Sequence, residues 1–330
     1  NIKVNILNEY FEKKISNKIK IKTASINSKT IKKNEIFFAI KGKKKDGNAF
    51  IKNAFDKGAS LAIVNRYHRS LNKKKQLKVP DSLKCITNLS KKIRENFYGK
   101  LIAITGSCGK TSLKQMIGES ISKFSKTNFS PKSYNNKYGV PLSLFNINLD
   151  YKTSIFEIGM DKKGEIDFLS NILMPDIGVI TNVSYAHAKN FKNINQIAEA
   201  KGEIIQNIKK NGIIILNKDD KFYQFHKKKA NERCLNVVSF SLKKKANIFL
   251  KSIKKEKNKF IINIKIYRDE KFFYIKNINK NNLYNILASV AAINSFVDIK
   301  RLKKDIFLNF ITPNGRGDIS KIKLRNKYIF

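Results

Sequence analysis

The stretch Ile104-Thr105-Gly106-Ser107-Cys108-Gly109-Lys110-Thr111-Ser112 constrains this chain more than any other. An apolar run precedes it and a helical pattern follows, so two glycines, a lysine and a hydroxyl fall at a strand-to-helix turn. There Gly106 and Gly109 let successive backbone N–H groups point inward, and the helix N-terminus adds partial positive charge, which together suit a phosphate group. Lys110 supplies a point charge for β- and γ-phosphates, and Thr111 a hydroxyl for Mg2+. The ordinary phosphate loop, G-x-x-x-x-G-K-[ST], needs its first glycine at position 104, where isoleucine stands. The stretch is a damaged loop, a chance run or a loop of another type, and its flanking elements favour phosphate binding.

Around this loop, short apolar runs alternate with helical patterns, as in a parallel sheet flanked by helices. Strands are predicted over 101–105, 154–158, 177–182 and 212–217, and helices over 111–124, 164–172 and 194–208. Further on, 247–253, 260–267 and 272–275 read as an antiparallel set, and a last helix over 282–296 precedes Pro313-Asn314-Gly315-Arg316-Gly317. Ahead of the loop, Phe37-Phe38-Ala39-Ile40 and Leu61-Ala62-Ile63-Val64 have the character of buried strands, 49–57 is helical and Asp46-Gly47-Asn48 is a turn. Pro80-Asp81-Ser82 opens a helix that runs to about residue 96 and links two domains. The fold class is α/β: a small mixed α/β N-terminal domain over 1–95, then a central domain over 96–312 of the phosphate-loop type, with a mainly parallel sheet flanked by helices and a small antiparallel sheet.

Composition narrows the function. The chain's 330 residues, 42% of them hydrophobic, are enough for more than one compact core. The formal charge of +43 invites a nucleic-acid reading. Yet the lysines come as short runs spread along the chain, at 43–45, 73–75, 227–229 and 243–245, and Trp is absent. That distribution is a compositional bias on exposed positions, not one binding groove, and no specific nucleic-acid partner is expected. Apolar runs are too short to span a bilayer and the start has no signal-peptide core, so a cytoplasmic, monomeric protein without membrane insertion is expected. The first residue is Asn rather than Met, consistent with a trimmed start. Cys85, Cys108 and Cys234 are odd in number and far apart, which suggests neither a disulfide framework nor a metal cluster.

Further candidates lie after the strands of the central sheet. Glu157 ends one predicted strand, where a carboxylate borders the ligand crevice and can hold the Mg2+ that bridges phosphates. A solvent-facing glutamate is the competing reading. His187 follows the strand that ends at Thr181-Asn182; a lone histidine is more often structural, but its position favours function. By helix spacing alone Lys201 is one more solvated lysine.

Taken together, these motifs resemble the Mur ligase family of ATP-dependent amide-forming enzymes. That family has the contracted loop T-G-[ST]-x-G-K-[ST], which residues 105–111 fit. Asn135-Asn136-Lys137-Tyr138-Gly139-Val140-Pro141, Glu157-Ile158-Gly159-Met160, Gly164-Glu165-Ile166, Pro175-Asp176, Thr181-Asn182-Val183 with His187, and Ala200-Lys201-Gly202-Glu203-Ile204 follow in the family's order. The resemblance covers nearly the whole chain. Phe37 to Gly42 and Asp46-Gly47-Asn48 match segments of the domain that holds the UDP-muramoyl end of the substrate, while Ile26-Asn27-Ser28-Lys29 stands where the family reads Thr-Asp-Ser-Arg.

The resemblance implies ATP and two Mg2+ ions. Thr105, Gly106, Ser107, Cys108, Gly109, Lys110, Thr111, Ser112, Asn282, Asn285 and Arg316 would bind ATP, and Ser28, Asp46, Gly47, Asn135 and Asn136 the other substrates. Lys110, Glu157, His187 and Lys201 would be catalytic, with Thr111, Glu157, His187 and a carbamylated Lys201 as metal ligands. The motifs are most similar to the branch joining D-alanyl-D-alanine to UDP-N-acetylmuramoyl-tripeptide through an acyl phosphate, in peptidoglycan precursor synthesis. A related ligase adding a different amino acid, a nucleic-acid-stimulated phosphate-loop NTPase and a non-catalytic binding remnant are the alternatives. In the family a Rossmann-like domain follows, of which 313–330 reads as the start, so a partial ligase is expected.

Overall fold

The computed structural model describes residues 2–16, 19–42, 45–130, 133–185 and 190–311, together with the backbone of 322–324 and 327–329. His187 and Arg316 lie outside the described residues, as do Lys43 and Lys44.

Helix α1 (Ile2–Phe11) opens the chain, and strands β1 (Thr23–Ser25), β2 (Glu35–Phe38), β3 (Leu61–Val64) and β4 (Gln76–Lys78) form a four-stranded parallel sheet in that order, with α2 (Ile51–Asp56) between β2 and β3. Its inner strands β2 and β3 are buried almost continuously, as a sheet covered on both faces requires, with successive side chains on opposite faces. Phe37, Ala62 and Val64 pack on Ile51 and Ala54 of α2, whereas Ile36, Phe38, Leu61 and Ile63 face the larger core. Asp81 accepts from the N–H groups of Leu83 and Lys84 and so caps helix α3 (Ser82–Glu95).

The second sheet has nine strands. In chain order its elements are β5 (Lys100–Thr105), α4 (Lys110–Ser122), β6 (Thr127–Phe129), α5 (Gly139–Phe145), β7 (Thr153–Glu157), α6 (Glu165–Leu173), β8 (Ile177–Ile180), α7 (Ile194–Gly202), β9 (Ile213–Asn217), α8 (Tyr223–Glu232), β10 (Asn236–Ser241), β11 (Ile248–Glu256), β12 (Lys259–Ile266), β13 (Asp269–Ile275) and α9 (Lys280–Asn294). The spatial order is β13-β12-β11-β10-β9-β8-β5-β7-β6. A further pair, β14 (Ile322–Leu324) and β15 (Lys327–Ile329), is antiparallel.

Period-two alternation explains the layering. Leu101 and Ala103 of β5 join Ile166, Ile197 and Ala230 on one face, while Ile102 and Ile104 join Leu113, Ile117, Leu287 and Val290 of α4 and α9 on the other. The first strand after α3, β5, is interior, between β8 and β7, and the chain then fills positions on both sides of it. The crevice at the carboxyl end of β5 is therefore a topological switch point, where such sheets bind ligands.

Three features differ from the sequence reading. The antiparallel strands are not a detached sheet, because β11 pairs in parallel with β10 and extends the main one. The helix expected over 194–208 is α-helical only to Gly202 and continues as a 3-10 turn over Glu203–Asn207. The strands β1, β4, β6 and β10 and the helices α1, α5 and α8 were not anticipated; α8 buries only Tyr223, His226 and Ala230, too sparse an apolar stripe to read.

The two sheets meet along α3. Asn146 accepts from Ala24 N at 2.6 Å and donates to Ala24 O at 2.9 Å, and Ser90 Oγ donates to Pro141 O at 2.7 Å. Arg94, 2% exposed, donates to the carbonyls of Leu173 at 2.7 Å, Phe97 at 2.9 Å and Met174 at 3.0 Å, and to the Asp176 carboxylate at 3.0 Å. The same Asp176 oxygen accepts from Leu101 N, which ties the root of β5 to that of β8. Replacing Arg94 removes this donor from the three carbonyls and the buried cation from Asp176. Arg94→Ala is expected to lower the urea-unfolding free energy by about 3 to 5 kcal/mol, measured by circular dichroism; a loss under about 1 kcal/mol, as for an exposed pair, would contradict that role.

Candidate functional site

The loop between β5 and α4 turns at two glycines in the left-handed region, Gly106 at φ +148° and Gly109 at φ +84°. A Cβ at Gly106 would collide with Thr181 Oγ1, and one at Gly109 would come within 2.9 Å of Asn285 Oδ1. The loop is braced from β8. Ser107 N donates to Asn182 O at 3.0 Å, Cys108 N to Asn182 Oδ1 at 3.0 Å, and Thr181 Oγ1 to Cys108 O at 2.7 Å. Ser107 Oγ and Ser184 exchange two more bonds. Isoleucine at 104 therefore belongs to the strand, since Ile104 pairs with Glu157 of β7 on one side and Val179 of β8 on the other.

Strand register delivers the charged groups. Lys110 is buried and its Nζ donates to Gly106 O at 2.7 Å, so the ammonium lies over the loop. Thr111 Oγ1 is 3.2 Å from Ser133 Oγ. Glu157, at the end of β7, is 2% exposed; Asn135 Nδ2 donates to its Oε1 at 3.1 Å, and Lys114 Nζ stands 3.5 Å from its Oε2. Lys201, also 2% exposed, has its amine pushed down to about 7, first by burial and then by the neighbouring Lys110 cation. His226, likewise buried, contacts Ala198 O through Nε2 at 2.9 Å and so braces the last turn of α7, where Lys201 sits.

Two hollows border these groups. A cleft of about 630 Å3 is lined by Lys110, Asn135, Asn136, Gly159, Met160 and Phe168, among others. On the other side of the loop a small pocket lies between Cys108, Gly109, Asn182, Phe240, Tyr284 and Asn285. Tyr284 donates to Asp219 at 3.1 Å, and burial first, then Asp219, pushes its phenol up.

Most of the residues expected to handle phosphate thus converge, but some do not reach this crevice. Asn285 lines the small pocket, whereas Asn282 is half-buried and its side-chain amide donates to Asn277 O; Asn281 lines the pocket instead, since residues four apart share a helix face. Asn135 grips Glu157, and Asn136 Oδ1 accepts from Tyr138 N and Gly139 N at the start of α5. Asp46 caps the short 3-10 turn Gly47–Phe50, and hydrogen bonds from Asn48 hold its carboxyl below the usual range. A Cβ at Gly47 would come within 2.6 Å of Ile40 N, and Ser28 is buried in the same N-terminal unit. Sequence reasoning passed over Lys114, since its place one helical turn after Lys110 does not by itself distinguish it from a solvated lysine.

The donor set can be tested against a divalent cation. Glu157 Oε2 is buried with no hydrogen-bond donor. Among the described residues no group of three or more His, Cys, Asp or Glu could hold a metal. A buried carboxylate oxygen without a donor suits Mg2+, which takes few protein ligands and completes its shell with water and phosphate.

The loop, the strand order and these oxygens define a nucleotide-dependent ligase scaffold, and the chain belongs to the Mur ligase family: the Mur ligase middle domain matches residues 104–293, and the Mur ligase family catalytic domain matches residues 20–90. The relatives it matches include proteins named UDP-N-acetylmuramoyl-tripeptide--D-alanyl-D-alanine ligase. The Rickettsia prowazekii protein is 32% identical over 94% of this chain and 69% of its own length; the one from Buchnera aphidicola (Baizongia pistaciae) is 32% identical over 70% and 50%. A crystal structure of MurF from Acinetobacter baumannii superposes with a TM-score of 0.81 at 25% identity, covering 98% of this chain and 71% of that one. MurF from Thermotoga maritima in complex with ADP gives 0.74 at 27%, covering 87% and 66%. The chain thus spans from half to about seven tenths of the lengths of these four proteins. Among the described residues no helix is long and apolar enough to cross a membrane.

The Lys201 amine carries a pH signature. Its folded value, about 7, lies below the unfolded 10.5, so between them the unfolded chain holds a proton that the folded chain lacks. Stability from this group rises with pH across that window and is least below about 7. In urea melts from pH 6 to 10, Lys201→Met is expected to flatten that rise relative to the unaltered chain; an identical pH slope would contradict the burial of a charged lysine.

Proposed function

We propose that this chain carries out the ATP-dependent joining of D-alanyl-D-alanine to UDP-N-acetylmuramoyl-tripeptide, in the cytoplasm and as a monomer. The carrying observation is that Lys110 belongs to two places at once, the phosphate loop and the wall of the large cleft. A γ-phosphate on the loop and a carboxylate in the cleft would therefore meet at one ammonium. Residues 1–95 would hold the UDP-muramoyl end through the parallel sheet that carries Ser28, Asp46 and Gly47, and residues 96–312 the ATP.

The tripeptide carboxylate attacks the γ-phosphorus, ADP leaves, and the acyl phosphate is then opened by the dipeptide amine with loss of phosphate. Negative charge gathers at both stages, and fixed positive charge at that point is the main lever on such barriers. Lys110 would supply it from the loop, while N–H groups at the N-terminus of α4 would orient the phosphates. Thr111 and Glu157 would hold Mg2+, which when bound neutralises phosphate oxygens. Adenine would lie in the small pocket against Tyr284 and Asn285, and Asn282 and Arg316 remain part of the proposed nucleotide set. Lys201 would join the site as a carbamate, with His187 as a further ligand. Its neutral amine is the form that adds CO2, and the resulting anion beside Lys110 would remove a cost of burying two cations.

A nucleic-acid-stimulated NTPase is the second reading, favoured by Lys110, Lys137, Lys162 and Lys163 in the lining of the large cleft, although Asp161 and Glu165 interrupt that basic run. The two readings separate in one assay. ADP release from MgATP is expected to rise at least about tenfold with UDP-N-acetylmuramoyl-tripeptide and to stay at baseline with RNA; stimulation by RNA alone would overturn the ligase reading.

A further inference from the structure

We propose that Lys114 is a built-in counter-cation of the divalent-ion site: a positioning residue that shares the Glu157 carboxylate with the ion and sets how tightly the ion is held. This rests on Glu157 being an ion ligand, as proposed above. Lys114 follows Lys110 by one turn of α4, which puts both ammonium groups on the helix face turned to β5 and β7. Its side chain and that of Glu157 are each 1% exposed, with Nζ 3.5 Å from Oε2.

The two carboxylate oxygens are treated differently. Oε1 accepts a hydrogen bond from Asn135 Nδ2 at 3.1 Å. Oε2 accepts none, so its contact with Lys114 is one of charge, and its lone pairs stay open. Asn135 fixes the plane of the group and Lys114 offsets its charge, leaving one oxygen able to ligate.

A carboxylate buried this deeply is costly without a compensating cation. Lys114 meets that need before any metal ion is present. An ion that takes Oε2 then shares it with the ammonium, and in a poorly screened interior that repulsion weakens binding. A lysine that merely filled space would act in the opposite direction, because its loss would loosen the carboxylate and weaken the ion.

Binding of Mn2+ alone to the full chain, followed by the paramagnetic resonance signal of free Mn2+, separates these roles without turnover. Glu157→Gln is expected to remove the site. Lys114→Met and Lys114→Gln, which delete the charge, are each expected to bind Mn2+ at least about tenfold tighter, and Lys114→Arg, which keeps it, to stay close to the unaltered chain. Either neutral variant that keeps the native circular dichroism spectrum suffices. Equal or weaker Mn2+ binding in that variant would overturn the proposal while sparing the site. Mn2+ binding indifferent to Glu157→Gln would overturn both.

Discussion

The structure depends on keeping four charged side chains dry at one place. Lys110, Lys114, Glu157 and Lys201 are each less than a tenth exposed. Three cations and one anion in a low-dielectric setting cannot persist by packing alone, since an unpaired buried charge costs more than the hydrophobic contacts around it return. The fold answers with specific pairings: Lys110 on a loop carbonyl, Lys114 on Glu157, and Lys201 pushed toward the neutral amine. The residual positive charge is what a nucleoside triphosphate and an acyl phosphate would neutralise.

The surrounding architecture holds these groups in register. Ile104, Glu157 and Val179 stand side by side on neighbouring strands, so a slip of one residue in any of them would carry the carboxylate to the wrong face. Behind the sheet, Arg94 and Asp176 fix the roots of β5 and β8, and at its front Thr181 and Asn182 brace the loop. Gly106 is needed for this closeness, because any side chain there would occupy the place of the Thr181 hydroxyl.

Much of this was legible in the amino-acid order. The alternation of Leu101 to Thr105 and the glycines that follow predicted strand, loop and helix, and the structure places them so. The contracted motif accounted for isoleucine at 104 as a strand residue. Lys114 was not legible, because a lysine inside a helix of a lysine-rich chain carries no mark of burial until the neighbouring strand is in place. The distinction between Asn281 and Asn282 was lost for a similar reason: both are polar at a helix start, and only the position of Phe240 and the loop decides which one faces the pocket. The join between β10 and β11 was hidden because a parallel pair leaves no turn signal. His187 and Arg316 keep their roles as part of the proposal.

The central claim is that this loop binds the phosphates of ATP through Lys110, and calorimetric titration with a magnesium complex of a non-hydrolysable ATP analogue tests it most directly. The account predicts one site per chain, lost in Lys110→Ala while the melting temperature holds or rises, since that change removes a buried cation. Unchanged affinity in a folded Lys110→Ala chain would contradict it.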